Sequence, residues 1–95
     1  MYRIVYAKQA AKDIKNLKAA RLDKKAKELI EIIRRNPFQN PPPYEGVVGS
    51  LQGFYSRRIN IQHRMVYQVC PEIMDNMEYE GTVKIVCMWT HYSGV

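Results

Sequence analysis

The 95-residue chain lacks the marks of several large protein classes. Two cysteines are too few for a disulfide-stapled secreted scaffold. No apolar run approaches the ~20 residues of a membrane-spanning helix, and no signal-peptide pattern opens the chain, so a cytoplasmic protein without a membrane partner is expected. There is no P-loop, GxGxxG stretch, GxSxG elbow or CxxC pair. The two histidines, His63 and His91, stand on separate segments without metal-ligand spacing. A metal or thiol enzyme is therefore not expected, no cofactor is implied, and Cys70 and Cys87 read as buried hydrophobes. Acid is scarce too: nine Asp and Glu stand against 15 Lys and Arg, a formal net charge of +6. Four of those acids (Glu72, Asp75, Glu78, Glu80) fall between Pro71 and Gly81, where there is no Lys or Arg, so the rest of the chain carries a net +10. Such an excess on a small body favours a polyanionic partner, usually RNA or DNA, with plain solubility as the alternative.

What is present suffices for one domain, residues 1–95. Met1–Ala7 alternates and is rich in Tyr, Ile and Val, which predicts a strand. Ala10, Ile14 and Leu17 have helical spacing among lysines over Lys8–Leu17. A second helix is expected over Arg21–Arg35, with Leu22, Ala26, Leu29, Ile30 and Ile33 as its apolar stripe and Asn36-Pro37 as its stop. Phe38–Gly53 reads as loop, with the Pro41–Pro43 run extended. Phe54–Ile61 and His63–Cys70 read as strands joined by a tight turn around Asn60–His63, and Thr82–Tyr92 as a further strand. The expected fold is α+β: an N-terminal strand, an antiparallel two-helix hairpin and a three-strand antiparallel meander. The helices would cover one face of a largely antiparallel sheet and leave the other free.

Basic and aromatic residues gather in the C-terminal half: Tyr55, Arg57, Arg58, His63, Arg64, His91 and Tyr92. Alternation puts Arg64 with Val66 and Gln68 on one face, and Met65, Tyr67 and Val69 on the core face. Arg57 and Arg58 point to opposite faces, and the pattern does not say which joins Arg64. Arginines beside stackable aromatics suit single-stranded RNA, and solvated strand-edge charge is the alternative.

Leu51–Val69 (LQGFYSRRINIQHRMVYQV) closely resembles the Txe/YoeB branch of the RelE-like toxins, whose core reads L-x-G-x-[WY]-S-R-R-I-x-x-x-H-R-[LM]-V-Y. A final strand closing on His-Tyr, here His91-Tyr92, and an R-x-x-P-F stretch, here within Arg34–Phe38, add to the likeness. The resemblance implies a RelE/YoeB-like, microbial-RNase-type sheet. It also implies the toxin of a type II toxin–antitoxin pair, a ribosome-dependent endoribonuclease that cuts mRNA in the A site. The implied partners are the ribosome with its mRNA and a cognate acidic antitoxin, YefM/Phd-like, that folds on binding. The toxin would act as co-repressor on operator DNA only through that antitoxin, and oligomers are compatible with the family. A non-catalytic module of the same fold, binding RNA, the ribosome or the antitoxin, is the alternative.

Matching positions carry over the roles. Glu45 is implied as general base, Arg64 as stabiliser of transition-state charge, His91 as general acid and Tyr92 as a positioning or stacking residue. Tyr55, Arg57, Arg58 and His63 are expected RNA contacts. RNA cleavage without a metal needs a base for the 2′-OH, an acid for the leaving 5′-oxygen and cations for the phosphorane, which this set can supply. One position departs: Val48 stands where the family often carries Lys, so Arg57 or Arg58 would have to compensate. The Pro71–Gly81 connection is also longer than the family's usual hairpin, and its acids read as solvated.

Overall fold

Short alternating segments and two amphipathic stretches give the observed order: β1 (Arg3–Tyr6), α1 (Lys8–Ala19), α2 (Asp23–Arg35), β2 (Glu45–Gly46), β3 (Phe54–Arg58), β4 (Arg64–Pro71) and β5 (Gly81–Cys87). The computed structural model describes residues 1–46, 53–71 and 79–89. His91, Tyr92, Val48 and most of the acidic Pro71–Gly81 connection lie outside the described residues.

The strands form one sheet in the order β1-β5-β4-β3-β2. The meander β3-β4-β5 is antiparallel as expected, whereas β1 lies parallel to β5, so the sheet is mixed. Two findings differ from the sequence reading. The expected loop contains β2, a two-residue strand that pairs Glu45 with Ser56 and Gly46 with Tyr55. The Pro41–Pro43 run, expected to be extended, holds two cis peptide bonds, Asn40–Pro41 and Pro41–Pro42.

Both helices pack on one face of the sheet. Ala10 and Leu17 of α1 and Ala26, Leu29, Ile30 and Ile33 of α2 meet Met65, Tyr67, Val83 and Ile85 in a single core. Burial of this apolar surface is the main favourable term in folding. An acid is buried within the same arc of α1. Asp13 Oδ2 accepts the Met88 N–H at 2.9 Å, and its Oδ1 accepts from Gln9 Nε2 at 3.0 Å. The end of β5 is thereby tied to α1 by a charge-assisted bond. Among the described residues no helix is long and apolar enough to cross a membrane.

The helical hairpin turns tightly. Arg21 N–H donates to Lys18 O at 3.1 Å and Leu22 N–H to Leu17 O at 2.8 Å, the paired bonds of a Schellman closure. That closure requires a left-handed residue, and Arg21 supplies it at φ 60°. A side chain there costs about 1 kcal/mol that glycine avoids. Arg21→Gly is therefore expected to raise stability by roughly 0.5–1 kcal/mol, after glycine's own entropic cost, read as a higher urea midpoint.

Of the two cysteines, Cys87 is buried and Cys70 is half-buried. Burial, with the Asp13 charge nearby, pushes the Cys87 thiol up to about 11. Its unfolded thiol ionises near pH ~8.5, so the neutral folded thiol contributes stability that is whole below that pH. That contribution falls as pH rises toward the folded value. A series of urea midpoints should decline across this alkaline window, and Cys87→Ala should flatten the decline.

Candidate active site

The β3–β4 hairpin carries the chemistry. Its turn is held by Asn60, whose side-chain oxygen accepts the N–H groups of Gln62 and His63 at 2.9 and 2.7 Å. This Asx geometry explains a tight turn that has no Asn-Gly pair. Register then sorts the side chains. Ser56 lies opposite Val66 and Arg58 opposite Arg64, on the face away from the helices. β2 adds Glu45 to that face by pairing it with Ser56.

Arg64, expected on this face, is there. Its Nη2 donates to Glu45 Oε2 at 3.2 Å and to Ser56 Oγ at 3.1 Å. Its buried Nε has no acceptor among the described residues. Glu45 is 74% exposed, so the pair is open to solvent and is weak as a stabilising contact. Arg58 is exposed and directly opposite Arg64. Like charges opposed across a ladder are destabilising, and a bound anion relieves the repulsion. The open question of which arginine joins Arg64 is thereby answered: it is Arg58.

Arg57 is a correction. It was expected to touch RNA, yet it is 1% exposed and points to the helix side. Its Nη1 donates to Pro42 O at 2.6 Å, and its Nη2 to Gln39 O and Pro37 O at 2.8 and 3.0 Å. Its Nε donates to the Tyr67 hydroxyl at 3.1 Å, which donates onward to Pro37 O at 2.8 Å. The Tyr44 ring lies 5.1 Å from the guanidinium carbon. Burial pushes the Tyr67 phenol above its ordinary pKa, against the opposing pull of the Arg57 charge. Arg57 thus holds the loop that leads from α2 to Glu45.

Tyr55 and His63 are corrections of the same kind. Tyr55 is half-buried among Phe38, Tyr44 and Tyr67, with ring centroids 5.1, 5.9 and 6.0 Å away. His63 is buried and stacked on Trp89 at 3.8 Å. Both rings are occupied by protein partners because their alternation sets them on the packed side. The expected acid His91 and its neighbour Tyr92 lie outside the described residues. Among the described residues, no His, Cys, Asp and Glu side chains group as a metal site.

Three residues were not anticipated. Alternation sends one of Arg57 and Arg58 to the packed side, and no local signal marks Arg57 as that one. The partner role of Tyr67 was equally hidden. Asp13 did leave a signal, since it sits at helical spacing between Ala10 and Leu17 on the apolar stripe.

Residues 6–92 match the family model described as YoeB-like toxin of bacterial type II toxin-antitoxin system. The chain belongs to that family. Toxin YoeB of Escherichia coli is 47% identical over 49 residues, a segment covering 52% of this chain and 58% of that relative. Among solved structures, a YoeB/ParE toxin from Agrobacterium tumefaciens superposes with a TM-score of 0.78 at 26% identity, covering 95% of this chain and 99% of that one. A YoeB-YefM complex from Staphylococcus aureus superposes at 0.71 with 32% identity, covering 97% and 99%. The RelE/YoeB-like α+β fold expected from the sequence is the fold observed.

The clamp around Arg57 makes a sharp prediction for this YoeB-like chain. Arg57→Met leaves the carbonyls of Pro37, Gln39 and Pro42 unpaired and should cost about 3 kcal/mol or more. Tyr67→Phe removes two links, the acceptor of Arg57 Nε and the donor to Pro37 O, and should cost about 1–3 kcal/mol. Urea midpoints at constant m-value check both.

Proposed function

We propose that this YoeB-like toxin is an endoribonuclease that cuts mRNA in the ribosomal A site and so arrests translation. The observation that carries the reading is the open face on which Glu45, Ser56, Arg58 and Arg64 converge. A base and two cations stand together there, with Arg64 Nε lacking an acceptor among the described residues.

The chemistry runs in one displacement. An incoming phosphate takes the Arg64 fork, and the Glu45 carboxylate is released from its ion pair. Glu45 removes the proton of the ribose 2′-OH, and the 2′-oxygen attacks the adjacent phosphorus. A 2′,3′-cyclic phosphate forms as the bond to the 5′-oxygen breaks. His91 delivers the proton to that leaving oxygen, and Tyr92 stacks on the nucleotide. Arg64 and Arg58 neutralise the developing phosphorane charge. Arg58 thereby covers for the cation that Val48 does not provide.

By analogy with the YoeB-YefM complex, the partner that silences the toxin is a cognate antitoxin. Its acidic segment would fold across Arg58 and Arg64. The site of action is the cytoplasm, where ribosomes are.

Purified toxin, ribosomes and a defined mRNA, with 3′ ends mapped, test the reading. New A-site ends are expected from the native chain. Glu45→Gln, Arg64→Ala and His91→Ala should each lower cleavage ~10²–10⁴-fold, while melting temperatures for the first two stay within a few degrees. Binding to ribosomes without new ends would instead favour a non-catalytic module.

A further inference from the structure

The back of the molecule carries charge that the cleavage reaction does not use. In α1 the lysines fall at positions 8, 12, 15 and 18, and all four are exposed. At about 100° per residue they occupy one arc of roughly 120°, opposite the buried Ala10, Asp13 and Leu17. The helix contains no other acid than the buried Asp13, and no ion pair among the described residues involves these lysines. α2 is different: Lys24, Lys25 and Lys27 are interleaved with Asp23, Glu28 and Glu31, and Arg34 pairs with Glu31 at 3.5 Å. α1 therefore presents a single-sign stripe about 15 Å long on the face turned away from Glu45 and Arg64.

We propose that this stripe of α1 is a docking face for the phosphate backbone of duplex RNA, separate from the cleft that takes the strand to be cut. The composition of the stripe selects the partner. Beside the lysines the exposed residues of α1 are Gln9, Ala11, Asn16 and Ala19, with no large apolar or aromatic anchor. Protein interfaces are depleted in lysine and rest on such anchors, so an acidic protein is a poor match. Single strands need rings to stack on, and α1 has none. A duplex offers dense, regular charge that lysines grip without reading sequence. The assignment of the polyanion as RNA rests on the proposed function. The geometry of the stripe does not.

The test measures binding of the full chain to a blunt duplex RNA of about 16 base pairs across a salt series. Changing Lys8, Lys12, Lys15 and Lys18 together to Gln, which keeps helix propensity, should lower the slope of log K against log salt by about 3. Changing the same four to Arg should restore it. In the ribosome assay the Gln variant should raise KM and leave kcat unchanged. An unchanged slope overturns the proposal, as does an equal loss per charge from Lys24, Lys25 and Lys27→Gln. So does a Gln variant that keeps its slope but loses the antitoxin. A native chain that binds duplex through α1 yet never cuts mRNA would leave the docking face standing and overturn the cleavage reading alone.

Discussion

The open face depends on a cation that never reaches it. The loop from Asn36 to Glu45 has little regular structure, so its path must be set from outside. Arg57 does this from beneath, with its planar fork spread over the carbonyls of Pro37, Gln39 and Pro42. Burying a guanidinium is costly unless its donors are satisfied, and here carbonyl dipoles and a phenol do so without a carboxylate. Phe38, Tyr44 and Tyr55 close around the same point. The loop leaves this anchor as β2, and only then is Glu45 brought opposite Ser56 and within reach of Arg64.

The division of labour within the Arg57-Arg58 pair follows from the pleat. Adjacent residues on a strand face opposite ways, so one arginine enters the packed side and the other the open side. The packed side holds the loop; the open side holds charge against charge. The register that opposes Arg58 to Arg64 would be a fault in a purely structural sheet, and it is consistent with a surface meant for phosphate.

Much of this was legible from the residues alone. The apolar stripe of α2 and the alternation of β4 fixed which faces were buried, because each period matches its element closely. The turn at Asn60 was located though its type was not. The destination of Arg57 was invisible, since it depends on carbonyls 15 to 20 residues away whose position no local pattern encodes. β2 was missed for a similar reason: two residues carry no periodicity, and its existence is decided by the neighbour it joins. Tyr55 and His63 were misplaced because an aromatic in a basic segment looks the same whether it faces a base or a side chain. The roles of Glu45 and Arg64 came from family resemblance rather than from spacing.

One property of the Arg57 clamp has a wider bearing. All three of its hydrogen-bond partners in the loop are main-chain carbonyls, a group that every residue carries. The clamp reads where the chain runs and is blind to the side chains at those points. Its carbonyl contact therefore imposes no particular letter at Gln39, whereas Phe38 and Tyr44 are held by their rings, so position 39 is free to drift in sequence while Glu45 is delivered to the same place. The surface at this position can thus be revised without moving the residue on which the chemistry is proposed to turn.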